Sequence, residues 1–394
     1  MVRRFIKDET ISGKLVIVMA IIALVAVNSP LQNLFVSFWH TTFTVGFPGL
    51  NLSMDIKDWI NEGLMTFFFL VVGLEIKREI VSGELRKFKT AILPIAAAIG
   101  GMIVPAAVFI AFNINSPDTV HGWAIPVATD IALAISVLAL VGRGLPSQVR
   151  MFLLTLAIVD DIGAIIIVAI FYGSGFNLVG LFASITIAGA LILIRKRKWL
   201  SLPLFAVMGV LLWLAVRHMG IEASITGAML GFLAPVVNHA GGDKSLAERL
   251  EKVMIPFATL IVIPVFVLAN AGVNILTTTI TNSTVSLGLG IIIGLVIGKV
   301  VGVVGVSWLL VRTRVSRLPT GTAWRHLIGV GFIAGIGFTL SIFVSDLSFG
   351  GDLVLADFAK QSVFVGSIIS AGIGIMILRS TKKSRVTRYI QPET

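Results

Sequence analysis

Four ionisable side chains lie inside long apolar stretches of the sequence, away from the polar loops and the ends of those stretches. They are Asp130, Asp160, Asp161 and Lys299. If these stretches cross a membrane, each ionised group near the bilayer centre costs at least ~2.5–3.5 kcal/mol. We therefore expect the four groups to pair with one another or to face water, as they would at an ion or proton site. Ion pairing that serves packing alone is the alternative, but such pairs contribute little net stability.

Three of these groups are predicted to lie at a similar depth. Asp160 lies ten residues after Arg150, which on a helix is roughly 15 Å from that end. Asp130 and Lys299 each lie thirteen residues before an arginine on the same side, or roughly 20 Å away. Ionisable groups from three separate helices thus come close to the middle of the membrane, which favours one shared site.

Asp160 and Asp161 are adjacent, so on a helix their side chains point about 100° apart. One of them can face a water-filled cavity while the other meets a partner helix, where Lys299 could reach it. Carboxylates in such a place can hold either a proton or a hard cation. No mid-span histidine or metal-catalysis pattern accompanies them, so cation handling fits better than hydrolysis.

The composition supports the membrane setting. Of 394 residues, 56% are hydrophobic and 13% are charged, about half the charge of a typical soluble domain. A soluble enzyme and a disordered chain are both excluded by these values. The chain has no cysteine, which excludes disulfides and Cys-ligated metal centres. The net charge of +11 is better explained by basic loops on one side of a membrane than by nucleic-acid binding.

A helix needs about 20 mostly apolar residues to span a bilayer, and the sequence has about twelve such stretches. They run roughly over 12–31, 58–76, 90–113, 122–142, 151–174, 177–194, 200–216, 220–236, 253–273, 286–311, 326–345 and 361–378. The sequence therefore predicts an all-α polytopic membrane protein, with residues 1–394 forming one integral membrane domain.

The orientation follows from the basic residues. With the N-terminus inside, 27 of the 31 Lys and Arg residues fall on the inner side, and only Lys57, Arg217 and Lys360 fall outside. The remaining one, Lys299, lies within a span. This asymmetry follows the positive-inside rule and predicts cytoplasmic N- and C-termini. A cleaved signal peptide is the less favoured interpretation of the N-terminus.

Two predicted spans contain helix-breaking sequences. One reads AIPVATD at 124–130, with a proline and polar groups in mid-span, and the other reads GVGFIAGIGFT at 329–339. Interruptions at corresponding positions of the two halves indicate a transporter site built from discontinuous helices. Glycines also serve helix packing in membranes, which is the alternative for the second stretch. Residues 41–53, which alternate around Gly-Phe-Pro-Gly, predict a hairpin on the outer surface; an irregular loop is the alternative.

The sequence resembles the NhaA family of sodium/proton antiporters along nearly its whole length. The motifs that carry the resemblance are GLEIKREI (73–80), AAIGGMIVPA (97–106), GWAIPVATDIALA (122–134), LAIVDDIGAIII (156–167), FVLANAGV (266–273), GLVIGK (294–299) and GIGFTLSIF (335–343). The resemblance implies inverted-topology repeats, with two discontinuous helices that cross near the midplane.

The resemblance also implies a function and roles for the buried charges. The function is electrogenic export of cytoplasmic Na⁺ or Li⁺ in exchange for external protons. Asp160 and Asp161 would be the ion-binding and proton-carrying pair, with Asp161 the principal sodium carboxylate and Asp160 the partner of Lys299. Thr129 and Asp130 would lie where the broken helices cross. Asp130 would offset the positive helix N-termini and Lys299 the negative C-termini.

The family's pH-responsive cytoplasmic region would map onto Glu75, Arg78, Glu79 and Glu251. A solvated charge cluster at a helix end is the alternative for the first three. The sequence departs from the family at Glu222, where members carry histidine, and at Glu248, where lysine is common. Neither departure touches the predicted ion site, but both leave the pH set-point open.

Other predictions concern partners and location. The expected location is the bacterial inner membrane, with the lipid bilayer, Na⁺ or Li⁺ and H⁺ as partners. No cofactor and no nucleic acid is expected, and the homodimer common in the family is left open. A cation channel that uses the same aspartates for selectivity is the main alternative. It is disfavoured because channels usually ring a path with symmetric residues. An intramembrane aspartyl protease would need Tyr-Asp and Gly-x-Gly-Asp motifs, and neither occurs.

Overall fold

The computed structural model describes residues 9–47, 50–86, 88–141, 145–173, 175–196, 201–235, 245–274 and 281–388. These residues are mostly helical. In chain order the α-helices are α1 (Glu9–Val27), α2 (Gln32–Trp39), α3 (Ile56–Asp58), α4 (Met65–Val81), α5 (Phe88–Asn113), α6 (Pro117–Val120), α7 (Ile131–Val141), α8 (Ser147–Phe171), α9 (Leu178–Lys196), α10 (Leu202–Met219), α11 (Thr226–Leu233), α12 (Leu246–Phe257), α13 (Ile263–Asn270), α14 (Asn282–Ile293), α15 (Lys299–Arg312), α16 (Trp324–Ala334), α17 (Phe338–Phe349) and α18 (Leu353–Arg388).

Tighter and wider helical turns interrupt or extend several of these helices. The 3₁₀ turns are Glu84–Arg86, His121–Val127 and Ala223–Ile225, and the π-helical segments are Trp59–Leu64, Ala258–Val262 and Gly294–Gly298. The last π-helical segment leads directly into Lys299. A π-helical turn rotates the residues that follow it relative to those before it, and such turns are frequent at functional sites.

Seven helices of the described residues are long and apolar enough to cross a membrane. They are Ala91–Asn113, Ser147–Phe171, Leu178–Arg195, Leu202–Met219, Leu246–Asn270, Asn282–Arg312 and Leu353–Thr381. Counting three bent helix pairs as one span each raises the number to ten. The protein is thus an all-α, multi-pass membrane protein. The full count of twelve stays a prediction.

The three bent pairs differ in their angles. The pair Ile11–Val27 and Gln32–Trp39 turns by 116°, so α2 does not continue the direction of α1. The pairs Pro117–Val127 with Ile131–Val141 and Trp324–Ala334 with Phe338–Phe349 turn by only 47° and 43°. Proline and glycine explain these two breaks, because Pro126 lacks a backbone donor and Gly335 and Gly337 loosen the helix.

The chain forms two compact units. Unit 1 comprises Met1–Ile17, Gly83–Ala164 and Val273–Thr394, and unit 2 comprises Val18–Ser82 and Ile165–Gly272. The division falls within α1 and α8.

Unit 1 is built around close contacts between helix backbones. A Cβ added at Gly302 of α15 would lie 2.5 Å from the carbonyl carbon of Gly100 and 2.9 Å from the Gly101 nitrogen of α5. Since real Cβ atoms do not approach other atoms so closely, α5 and α15 touch through glycine. Small residues allow this close packing in membrane helices.

Unit 2 contains a second contact of this kind and a small sheet. Cβ atoms at Gly73 of α4 and Gly231 of α11 would each lie under 3.0 Å from the backbone of the facing helix. The hairpin expected at 41–53 is present: β1 (Thr42–Phe47) pairs antiparallel with β2 (Leu50–Asp55). The turn residues 48 and 49 lie outside the described residues.

Candidate ion-binding site

The two helix breaks of unit 1 meet each other directly. The backbone N–H of Asp130, at the first break, donates to the carbonyl oxygen of Ile336, at the second break, over 2.6 Å. The hydroxyl of Thr129 lies 2.7 Å from the carbonyl oxygen of Ala334, the last residue of α16. Backbone groups freed by the two interruptions therefore satisfy one another, as an apolar environment requires.

Asp130 occupies the N-terminal ends of two helices at once. Its Oδ1 accepts from the backbone N–H of Leu133 in the first turn of α7, at 2.9 Å. Its Oδ2 accepts from Thr339 in the first turn of α17, from the N–H at 3.1 Å and from the hydroxyl at 2.6 Å. Helix N-termini carry free N–H groups and partial positive charge. One buried carboxylate, 3% exposed, thus neutralises two helix ends.

One oxygen of Asp160 of α8 has two donor groups within hydrogen-bond distance, although the single hydroxyl proton of Thr129 can serve either this oxygen or the Ala334 carbonyl. Lys299 Nζ lies 2.7 Å from Asp160 Oδ2, and the Thr129 hydroxyl lies 2.7 Å from the same oxygen. Both charged residues are inaccessible to solvent, since Lys299 is 0% and Asp160 is 1% exposed. The other oxygen of Asp160, Oδ1, has no hydrogen-bond partner among the described residues. A carboxylate oxygen that is buried but not saturated can accept a proton or a small cation.

Asp161 is the next residue on α8 and is 3% exposed. Three carboxylates and one ammonium group are thus buried in this part of unit 1, but among the described residues no three acidic or histidine side chains lie close enough together to hold a metal ion. Carboxylate, hydroxyl and carbonyl oxygens are the ligand types that hard cations prefer.

The structure brings together most of the residues that the sequence singled out for the ion site. Thr129 and Lys299 both lie within hydrogen-bond distance of Asp160 Oδ2, and Asp130, the chain neighbour of Thr129, accepts two hydrogen bonds from Thr339. No sequence motif indicated this role of Thr339. Its position in the second interrupted span was the available signal, because a hydroxyl beside a helix break can replace a lost backbone bond.

The predicted pH-responsive residues lie in unit 2, on α4 and α12. Arg78 Nη1 lies 3.4 Å from Glu251 Oε2, a pair whose arginine is exposed. Glu75 and Glu79 lie within one turn of Arg78 on α4. Beside them, Lys77 is buried and donates to the carbonyls of Phe232, at 2.6 Å, and Ala234, at the end of α11. The sequence analysis assigned no role to this lysine.

Glu222 lies between α10 and the 3₁₀ turn that precedes α11. Burial raises the pKa of its carboxyl to about 7, although the hydroxyl and the N–H of Ser224 and the charge of Arg217 act in the opposite direction. This pKa lies in the range of an ordinary histidine.

Lys360, which is predicted to fall on the outer side of the membrane, lies within α18, is 3% exposed and pairs with Asp346 at 2.5 Å. The apolar stretch begins at 361 because Asp357 and Lys360 make the preceding turn polar. The helix nevertheless starts at Leu353, since the ion pair offsets the burial of the lysine.

An apolar helical chain in which a buried carboxylate–ammonium pair lies where two interrupted helices meet has the form of a secondary membrane transporter. Comparison with known proteins gives the particular family. The model of the family described as Na⁺/H⁺ antiporter 1 matches residues 3–378. The chain belongs to this family of sodium/proton antiporters.

Its similarity to individual members extends along both chains. It is 43% identical to Na(+)/H(+) antiporter NhaA 1 of Clostridium beijerinckii, over 96% of this chain and 95% of the relative. It is 39% identical to Na(+)/H(+) antiporter NhaA 1 of Syntrophotalea carbinolica, over 99% of each chain. It is 38% identical to Na(+)/H(+) antiporter NhaA of Vibrio cholerae, over 96% of this chain and 97% of the relative.

Proposed function

We propose that this protein exchanges Na⁺ for H⁺ across a bacterial inner membrane by alternating access, and that the transport site is the buried network around Asp160. The observation that carries the proposal is the Asp160–Lys299 pair, at 2.7 Å, beside the meeting point of two helix breaks in a member of the Na⁺/H⁺ antiporter 1 family. Ionisable groups buried in this way are expensive in a membrane and mark ion and proton pathways.

The proposed mechanism is competition between protons and one cation for the same carboxylates. Asp161 acts as the principal sodium carboxylate. Asp160 alternates between two states: in one it pairs with Lys299 and can take up a proton, and in the other it binds the incoming ion. Because a protonated carboxyl group has no charge to offer a dehydrated cation, sodium and protons exclude each other. Li⁺, a smaller hard cation, uses the same oxygens.

The surrounding charges hold this site in place. Asp130 compensates the N-terminal ends of α7 and α17 through its bonds to Leu133 and Thr339. Lys299 compensates Asp160 and the C-terminal end of α16. Thr129 connects Asp160 with the end of α16, since its hydroxyl lies between Asp160 Oδ2 and the Ala334 carbonyl. We propose that these supporting residues let the broken helices reorganise while the site stays neutral enough to remain buried.

The finer features follow from the same proposal. Exchange moves net charge and depends on pH, with Glu75, Arg78, Glu79 and Glu251 as the cytoplasmic residues that modulate it. The chain crosses the membrane about twelve times and has both termini in the cytoplasm. Residues 1–8 and 389–394 lie outside the described residues.

The test uses everted membrane vesicles that contain a fluorescent pH probe. After respiration acidifies the vesicle interior, added Na⁺ or Li⁺ should raise the internal pH, whereas K⁺ should not. Asp161→Asn should abolish the response, and Asp118→Asn, which changes an exposed carboxylate, is the matched control. A cation channel would instead carry Na⁺ without moving protons, and that result would reject antiport.

A further inference from the structure

α5 provides the surface against which Lys299 lies. A Cβ added at Gly101 would lie 3.7 Å from Lys299 Cδ and 4.0 Å from Lys299 Nζ. The lysine stem and its ammonium group therefore lie directly over the Gly101 backbone. The same Cβ would lie 2.9 Å from Val303 Cγ2, one turn further along α15. Gly101 thus faces both a charged and an apolar side chain of α15.

The helix that carries Asp160 contacts the next residue of α5. A Cβ added at Gly163 of α8 would lie 2.8 Å from the Cε of Met102 and still closer to its sulfur. α5 thus touches α15 through Gly101 and α8 through Met102. Since it contacts both charge-bearing helices beside the site, α5 sets the gap that the Asp160–Lys299 pair bridges.

We propose that Gly101 is a positioning residue for the transport site, where the absence of side-chain atoms beyond the Cβ position leaves room for the Lys299 side chain to reach Asp160. This inference rests on the proposed function. It differs from a packing role, because packing would require only that the total volume between α5 and α15 be filled. The positioning role requires that no side-chain atom beyond a Cβ occupy the volume over Lys299, since the Cβ itself would lie at an ordinary contact distance.

A swap across the contact separates these two roles. In the valine swap, Gly101→Val adds a Cβ and two methyl groups to α5, and Val303→Ala removes two methyl groups from α15, so the buried volume grows by only about one carbon atom. Gly101→Ala combined with Val303→Ala adds only a Cβ at an ordinary contact distance from Lys299. Gly305→Val is the matched control, because a Cβ at Gly305 on α15 meets no atom within 4 Å.

Each variant is assayed for sodium-driven proton movement and for its melting temperature. We expect Gly101→Ala/Val303→Ala and Gly305→Val to stay within about twofold of the wild-type exchange rate. The valine swap should lose at least about tenfold, because small misplacements of reacting groups can cost factors of that size. Wild-type exchange in the valine swap would overturn the proposal. Absence of exchange in the wild type would instead reject the proposed function.

The Lys299→Ala background provides the second readout. If Gly101 acts through Lys299, the valine swap should lower the melting temperature in the wild type but leave it unchanged in Lys299→Ala, where the side chain to be accommodated is gone. This is the signature of two coupled positions in a double-mutant cycle. An equal fall in both backgrounds, including a failure to fold in both, would show that Gly101 serves helix packing alone.

Discussion

Removing the Lys299 ammonium should destabilise the protein far more than removing an exposed lysine. In Lys299→Ala, the Asp160 carboxylate stays 1% exposed and keeps only the Thr129 hydroxyl as a donor among the described residues. Deleting one partner of a buried ion pair costs about 3–5 kcal/mol, because it leaves an uncompensated charge. For a chain of this length that corresponds to a fall in melting temperature of roughly 4–6 °C.

Removing both charges should cost much less than removing one. In Asp160→Asn/Lys299→Met the amide still accepts from Thr129, and an unbranched apolar chain replaces the lysine stem. Replacing both members of a buried ion pair by neutral groups of similar volume is often close to neutral. We therefore expect the double variant to melt within a few degrees of the wild type although it transports no sodium. Lys299→Arg, which retains the charge, should keep more stability and activity than Lys299→Ala.

The assay is thermal unfolding of the purified protein in detergent, followed by tryptophan fluorescence at pH 6.0 and 8.5. Lys252→Ala, which removes an exposed lysine of α12, is the control and should not change the melting temperature. Lys299→Ala should be more destabilised at the higher pH, because at the lower pH a proton can neutralise the stranded carboxylate. An unchanged melting temperature in Lys299→Ala would refute the argument that this pair is structurally coupled.

Three further predictions concern the carboxylates. Asp161→Asn should abolish sodium-driven proton movement in vesicles, because an amide neither takes up a proton nor supplies charge to a dehydrated cation; near wild-type rates would exclude Asp161 as the sodium carboxylate. In the wild type the apparent KM for Na⁺ should rise as pH falls from 8.5 to 6.5, by up to about tenfold per pH unit for each competing proton, while the maximal rate changes little; a flat KM with a collapsing maximal rate would indicate a separate gating switch. Burial raises the Glu222 pKa from 4.5 to about 7, so the folded protein binds this proton more tightly than the unfolded chain and stability should fall as pH rises from about 4.5 to about 7. Glu222→Gln should remove that part of the pH dependence of the melting temperature, while the KM for Na⁺ should still change with pH. If the KM of this variant no longer changed with pH, the pH dependence of transport would arise at Glu222.

The sequence predicted much of the site because membranes make isolated charges conspicuous. Asp130, Asp160 and Lys299 could be placed at one depth from their spacing to arginines at the inner ends of the spans. Proline and glycine marked both helix breaks. From the residues alone it remained open which of the two adjacent aspartates meets Lys299. The structure pairs Asp160 with this lysine at 2.7 Å.

Other features had no local sequence signal. The π-helical segment Gly294–Gly298 sets the direction of Lys299, yet its apolar residues would suit an ordinary α-helix equally well. The burial of Lys360 depends on Asp346, fourteen residues earlier and on another helix. The raised pKa of Glu222 arises from desolvation, which depends on packing by distant segments. Each of these features is a property of tertiary contacts rather than of periodicity.

α17 is fastened at both of its ends. Thr339, in its first turn, is bound to Asp130, and Asp346, in its last turn, is bound to Lys360 of α18. Breaking the Asp346–Lys360 pair would leave the buried Lys360 charge without its partner. A rearrangement of unit 1 is therefore more easily accommodated at the Gly335–Gly337 break than along α17. α17 is therefore held by α18 at one end and by Asp130 at the other. Amide hydrogen exchange should register the two helices as one cooperative block that opens together, with the fastest exchange at the hinge between α16 and α17.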